Sequence, residues 1–186
     1  MEFKIILITL VILLVVQILG VIKKKDFSKY FRYVFIIFSV IAFLAWIIIS
    51  ILQIKFWQSM GPPISFLAPP YGSFLYAFGY HFIRFFLYYL ITFVVSLIFL
   101  TYSKKLNKES NELFFEKEEP YLGATSILLL GSTGLSFGWV YYLLGVILIP
   151  FLINSYKFIF KKKDSKFSLR FLWLPVAILI LIFTNF

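Results

Sequence analysis

Residues 23–32, with the sequence KKKDFSKYFR, place five basic side chains between two long apolar runs. Two further basic segments follow, at residues 104–117 and 157–170, and the three segments together hold fifteen of the eighteen lysines and arginines. Basic residues gather on the cytosolic side of membrane-spanning segments. All three segments fall on that side if every apolar run between them crosses the membrane, so their spacing predicts the topology.

The composition is that of a membrane protein, because 62% of the residues are hydrophobic and only 14% are charged. The formal charge of +10 does not indicate nucleic-acid binding, since the cations border apolar runs instead of forming one water-facing surface. Anionic lipid headgroups on the inner face are therefore the predicted partners. The chain has no cysteine, which excludes disulfides and thiolate catalysis, and no cofactor is predicted.

The apolar runs predict an all-α, polytopic transmembrane helix bundle that forms a single integral domain over residues 1–186. Six spans are expected in the cell inner membrane, with both termini outside, since about twenty apolar residues cross the hydrocarbon core. The spans are predicted at about residues 3–22, 33–54, 82–101, 120–134, 139–160 and 171–186, with an outer interfacial loop at 55–81 and an inner charged loop at 103–119.

The outer loop contains two proline pairs, at residues 62–63 and 69–70, among many aromatic side chains. Proline pairs prevent a continuous helix, so the loop is expected to lie in the interface or to re-enter the membrane. Both the outer and the inner loop are predicted contact surfaces for a protein partner.

Few charged residues are expected on the outer side. Arg84 lies one turn inside the outer end of span three, beside His81, where an arginine can reach the headgroups. The residues predicted to meet headgroups or the interface are His81, Arg84, Lys23, Lys24, Lys25, Lys161, Lys162 and Lys163.

Familiar catalytic sites are not expected. The only histidine, His81, lies on the outer side, whereas both aspartates, Asp26 and Asp164, lie on the inner side, so a Ser-His-Asp triad cannot form. One histidine without cysteine predicts no metal site.

The strongest local motif is EKEEPYLG, residues 116–123, at the inner end of span four. One interpretation is structural, because carboxylates and a first-turn proline favour a helix N-terminus. The other is catalytic, since two carboxylates, one protonated and one ionised, can activate water; Asp26 with Glu118 or Glu119 are then the candidate residues. The many small residues of span four predict the bundle centre.

The layout resembles the membrane aspartic peptidases that process type IV prepilins, through the stretch DFSKYFR at residues 26–32, the acidic motif that opens span four, and the ending SLRFLWLP at residues 168–175. That resemblance implies peptide hydrolysis by two carboxylates. The family has its second aspartate in a Gly-x-Gly-Asp motif, whereas this chain has Glu118, Glu119 and Pro120 there. The stretch FEKEEPYLG with the later LWLP is more similar to small six-span inner-membrane proteins of bacteria with reduced genomes, which implies no activity.

Three functions follow as alternatives. The first is a structural or assembly subunit of the inner membrane without a recognisable active site, and the second is a divergent prepilin-peptidase-like enzyme. The third is a carrier of lipid or of a small solute, which predicts an inner cavity lined by Gln17, Thr125 and Asn154.

Overall fold

The structure is a computed structural model that describes residues 2–23, 27–109, 115–131, 138–159 and 171–185. The described residues form helices and no strands, which confirms the all-α prediction. The α-helices are α1 (Glu2–Ile22), α2 (Ser28–Ser59), α3 (Phe74–His81), α4 (Leu87–Glu109), α5 (Glu119–Leu130), α6 (Gly138–Ile159) and α7 (Trp173–Asn185), with a 3-10 helix at Ile64–Leu67 and a π-helical turn at Phe82–Phe86.

Three of these helices are long and apolar enough to cross a membrane, which indicates a membrane protein. They are Lys4–Ile22 of α1, the whole of α2 and the whole of α4. Two shorter apolar helical stretches, Gly138–Ile153 and Trp173–Thr184, lie in α6 and α7. Helix α2 extends beyond the predicted span 33–54 at both ends, because hydropathy marks the part inside hydrocarbon and not the end of the hydrogen-bonded helix.

The polarity of α4 is the reverse of that of a helix on a water-soluble protein. Its buried residues are all polar: Thr92, Ser96, Ser103 and Asn107. Its exposed side includes Ile91, Val94 and Ile98. The Ser96 and Ser103 hydroxyls donate hydrogen bonds to carbonyls of their own helix, Ser96 to Phe93 at 2.8 Å and Ser103 to Phe99 at 2.5 Å. Apolar side chains outside and polar ones inside suit a helix whose surroundings are lipid.

The chain divides into two compact units, Met1–Phe35 with Thr92–Phe186, and Ile36–Ile91. In the first unit α5 is enclosed, because all of its residues except Tyr121 are buried. Within this unit the small-residue helix is thus enclosed, as its composition predicted. A Cβ on Gly131 would collide with Thr92, and one on Gly123 would lie 2.5 Å from Phe99 Cε1, so α4 and α5 pack closely and run antiparallel.

Helix α7 joins the first unit together, since it contacts α1, α5 and α6. Its buried face includes Trp173, Leu174, Ala177 and Leu181. The buried side of α1 forms a stripe at residues 6, 10, 13, 17 and 20, the spacing of a helix–helix seam. Gln17 is the polar member of that stripe and is 1% exposed.

The second unit contains most of α2 and the proline-rich segment that was predicted to be a broken outer loop. No continuous helix crosses that segment: α2 ends at Ser59, and α3 begins only at Phe74. Gln58 donates a hydrogen bond to the Pro69 carbonyl at 2.6 Å, which ties the segment to α2. The small core of this unit is formed by Ile54, Ala68 and Ala77, with Trp57 and Phe78 against it.

Candidate functional site

The acidic motif opens α5 as a helix N-terminus should. Glu118 is the N-cap and Pro120 stands in the first turn. The Glu118 carbonyl accepts hydrogen bonds from the backbone N–H groups of Tyr121 and Leu122, each at 3.1 Å. Proline loses no helical hydrogen bond there, and carboxylates meet the positive end of the helix dipole. The prediction that a helix begins at this motif is therefore confirmed.

Burial separates the glutamates of this motif into two kinds. Glu116 and Lys117 are exposed, whereas Glu118 is 4% and Glu119 only 1% exposed. A buried carboxylate is costly unless it is protonated, paired or hydrogen-bonded. Two adjacent buried carboxylates at the end of a membrane-protein helix are therefore a candidate functional site by default.

Residues near the C-terminal end of α4 form hydrogen bonds on both sides of this site. Lys104 Nζ donates a hydrogen bond to the Tyr121 hydroxyl at 2.7 Å. Three residues further along α4, the Asn107 side-chain oxygen accepts a hydrogen bond from the Phe115 backbone N–H at 3.1 Å. These two bonds hold the chain on both sides of the glutamates, and sequence reasoning had pointed to neither. A buried asparagine at the end of a lysine-rich helix was the available signal for the second.

Trp173, the first residue of α7, packs among three aromatic rings beside the start of α5. Its ring lies 5.4 Å from that of Phe99, 6.1 Å from that of Phe115 and 6.4 Å from that of Tyr142, measured between centroids. It is 2% exposed, and its indole N–H makes no hydrogen bond to any described residue. The sequence marked this tryptophan only through the resemblance carried by residues 168–175.

The acidic partner proposed for the glutamates lies outside the described residues, since Asp26 is not among them. Lys24, Lys25 and residues 161–163 are also outside, whereas Lys23 is exposed just after α1. His81 ends α3, but its side chain lies outside the described part; Arg84 is exposed within the π-helical turn.

Two of the three polar residues expected of a carrier are described. Gln17 and Thr125 are both buried. The Thr125 hydroxyl donates to the Tyr121 carbonyl of its own helix at 2.7 Å, a structural use of the group. The Asn154 side chain lies outside the described part. Within the described ranges, no cluster of histidine, aspartate and glutamate could hold a metal ion.

Comparison with protein-family models, with curated proteins and with solved structures found no match.

Proposed function

We propose that this chain is a multi-pass protein of the cell inner membrane, with six crossings, both termini outside and the basic connectors in the cytosol. The reversed polarity of α4 supports a lipid environment. The charge bias of the connectors supports the orientation. Helix α5 has only twelve residues, which is too short for a lone helix to cross the hydrocarbon core, so the fourth crossing requires the helices that enclose it.

Single cysteines can test this topology, because the chain has none of its own. Ser73→Cys should react with a membrane-impermeant maleimide on intact cells, since residue 73 belongs to the outer segment and is exposed. Ser110→Cys and Ser165→Cys, in the basic connectors, should react only after lysis. Labelling of Ser165→Cys on intact cells would contradict the orientation, and the cysteine-free chain is the control.

Within this topology, we propose that the protein acts as a structural or assembly subunit. The observation that carries the proposal is the uncharged, aromatic surface of residues 66–76 in the predicted outer loop. Tyr71 is 74% and Leu75 80% exposed, and Phe66, Phe74 and Tyr76 are also exposed. Exposed apolar patches of this kind mark contact surfaces for protein or membrane. An aromatic contact surface on the outer side suits a subunit that holds another membrane protein.

The burial of Glu118 and Glu119 favours a second candidate, the divergent prepilin-peptidase-like enzyme. In that candidate, a buried glutamate and Asp26 share the work of activating water, one as acid and one as base. The glutamate pair opens the helix at the inner side of the proposed topology, the same side as Asp26.

One assay separates the two functions. The purified protein is incubated with a prepilin-like substrate, and cleavage is followed by gel shift and mass spectrometry. A structural subunit leaves the substrate intact. A peptidase cleaves it. Asp26→Ala should then abolish cleavage, and Glu119→Gln should lower the cleavage rate about a hundredfold or more, which is the usual contribution of one acid–base group. Glu116→Gln, the exposed neighbour, is the matched control and should leave cleavage unchanged.

A further inference from the structure

Arg84 is distant in sequence from every other charged residue. It is the only charged residue between Lys55 and Lys104, with histidine taken as neutral. The unit that contains it, Ile36–Ile91, has two basic residues and no aspartate or glutamate. This unit therefore carries a net positive charge, and no carboxylate of its own can balance it.

The helical run from Arg84 to Lys104 indicates how deep in the membrane Arg84 lies. Nineteen residues lie between Arg84 and Lys104, and the run between them is helical and uncharged. At about 1.5 Å of rise per residue, a helical run of this length is about 30 Å long, which is the thickness of the hydrocarbon core. Lys104 lies at the inner surface in the proposed topology, so Arg84 lies at the level of the outer phosphates.

The side chain of Arg84 is oriented by an aromatic neighbour. Arg84 Nη1 donates a hydrogen bond to the Tyr80 hydroxyl at 3.0 Å, and the guanidinium carbon lies 6.0 Å from the centre of the Tyr80 ring. The Tyr80 ring in turn packs against Trp57 at 5.4 Å between centroids. Tyrosine and tryptophan favour the membrane interface, and the hydrogen bond to Tyr80 restricts the guanidinium there.

The surface around this pair is apolar. Ile83 is 66% exposed, and Leu87 and Tyr88 beside it are also exposed. Arg84 lies at the middle of the π-helical turn Phe82–Phe86, a local form that is frequent at functional sites. The last residue of the turn, Phe86, packs on the buried Trp46 at 4.4 Å between centroids. The turn thus anchors one side chain in the unit while it presents the arginine outward.

We propose that Arg84 and Tyr80 form a binding site for the phosphate of an anionic glycerophospholipid in the outer leaflet. Arg84 is exposed, and the planar fork of a guanidinium matches two phosphate oxygens. An anionic lipid is selected over a zwitterionic one because a headgroup ammonium would meet a unit with positive charge only. The proposal rests on the proposed topology for the choice of leaflet.

The test is a lipid titration of the purified full-length chain in neutral detergent, read by native mass spectrometry. Phosphatidylglycerol and phosphatidylcholine with identical acyl chains are compared. Arg84→Gln should weaken the tightest phosphatidylglycerol binding about three- to tenfold, the scale of one charge-assisted hydrogen bond at an exposed site. Arg84→Lys should give a smaller loss and Tyr80→Phe a loss of about twofold. Phosphatidylcholine binding should not change.

Lys55→Gln removes the other cation of the unit and is the matched control, with an expected change below twofold. The proposal is overturned if wild type and Arg84→Gln bind phosphatidylglycerol equally well. It is also overturned if Arg84→Gln weakens the binding of phosphatidylglycerol and of phosphatidylcholine by the same factor. Displacement of the lipid by millimolar inorganic phosphate assigns the site to free phosphate and also overturns it. If Arg84→Gln does not fold by circular dichroism, Arg84→Lys and Tyr80→Phe decide the question.

This titration and the cysteine-labelling experiment fail for different reasons. Micelles have no inner and outer side, so the titration fails only if the binding site is wrong. The labelling pattern fails only if the orientation is wrong.

Discussion

Trp173→Ala should lower the apparent midpoint of thermal unfolding by about 6–20 °C, followed by far-UV circular dichroism of the protein in detergent. The ring is fully enclosed and contacts Phe99, Phe115 and Tyr142. Its removal leaves a large cavity among these rings, at a cost of about 3–5 kcal/mol. For a chain of this size, each kcal/mol corresponds to about 2–4 °C.

Two companion variants define what the tryptophan contributes. Trp139→Ala, at the half-buried start of α6, is the matched control and should cost less than half as much. Trp173→Phe keeps an aromatic ring and loses an N–H that binds no described residue, so it should retain most of the stability. A loss in Trp173→Phe as large as that in Trp173→Ala would contradict a packing role and would indicate that the indole N–H binds a group elsewhere.

Gly123→Ala should destabilise the protein strongly although it adds a single methyl group. The new Cβ would lie 2.5 Å from Phe99 Cε1 and 3.0 Å from Trp173 Cζ3, so rings from two helices would have to move. Overpacking of this kind costs about 1–3 kcal/mol, or a fall of about 3–10 °C in the apparent midpoint.

Gly79→Ala is the matched control, since Gly79 also lies in a helix but a Cβ there would meet nothing within 4 Å. Alanine favours a helix over glycine, so this variant should keep or slightly raise stability, by up to about 1 kcal/mol. The two substitutions are chemically identical and should act in opposite directions. Equal effects would refute the close approach of α4, α5 and α7 at Gly123.

The sequence was sufficient for the parts of the fold that depend on local chemistry. Small residues predicted the centre at α5, and Glu118 with Pro120 predicted where that helix begins. The proline pairs predicted the interruption between α2 and α3. Each of these follows from what a residue type permits in its own backbone or against a neighbouring helix.

The features that depend on distant parts of the chain could not be read in this way. Glu116 and Glu119 belong to one acidic run, yet only Glu119 is buried, because tertiary packing around α5 decides it. Likewise the sequence does not show that Trp173 lies against Phe99, since 73 intervening residues separate them. The ends of α2 and α4 were also placed too early, at residues 54 and 101, since these helices continue to Ser59 and Glu109 beyond their apolar parts.

The position of α7 bears on how the protein is made. Because α7 contacts α1, α5 and α6, it brings α1 together with a helix that is synthesised much later than α1. A chain that stops before Trp173 would leave the Gly123 surface of α5 without the ring that packs on it. The first unit can therefore close only after α7 has been synthesised.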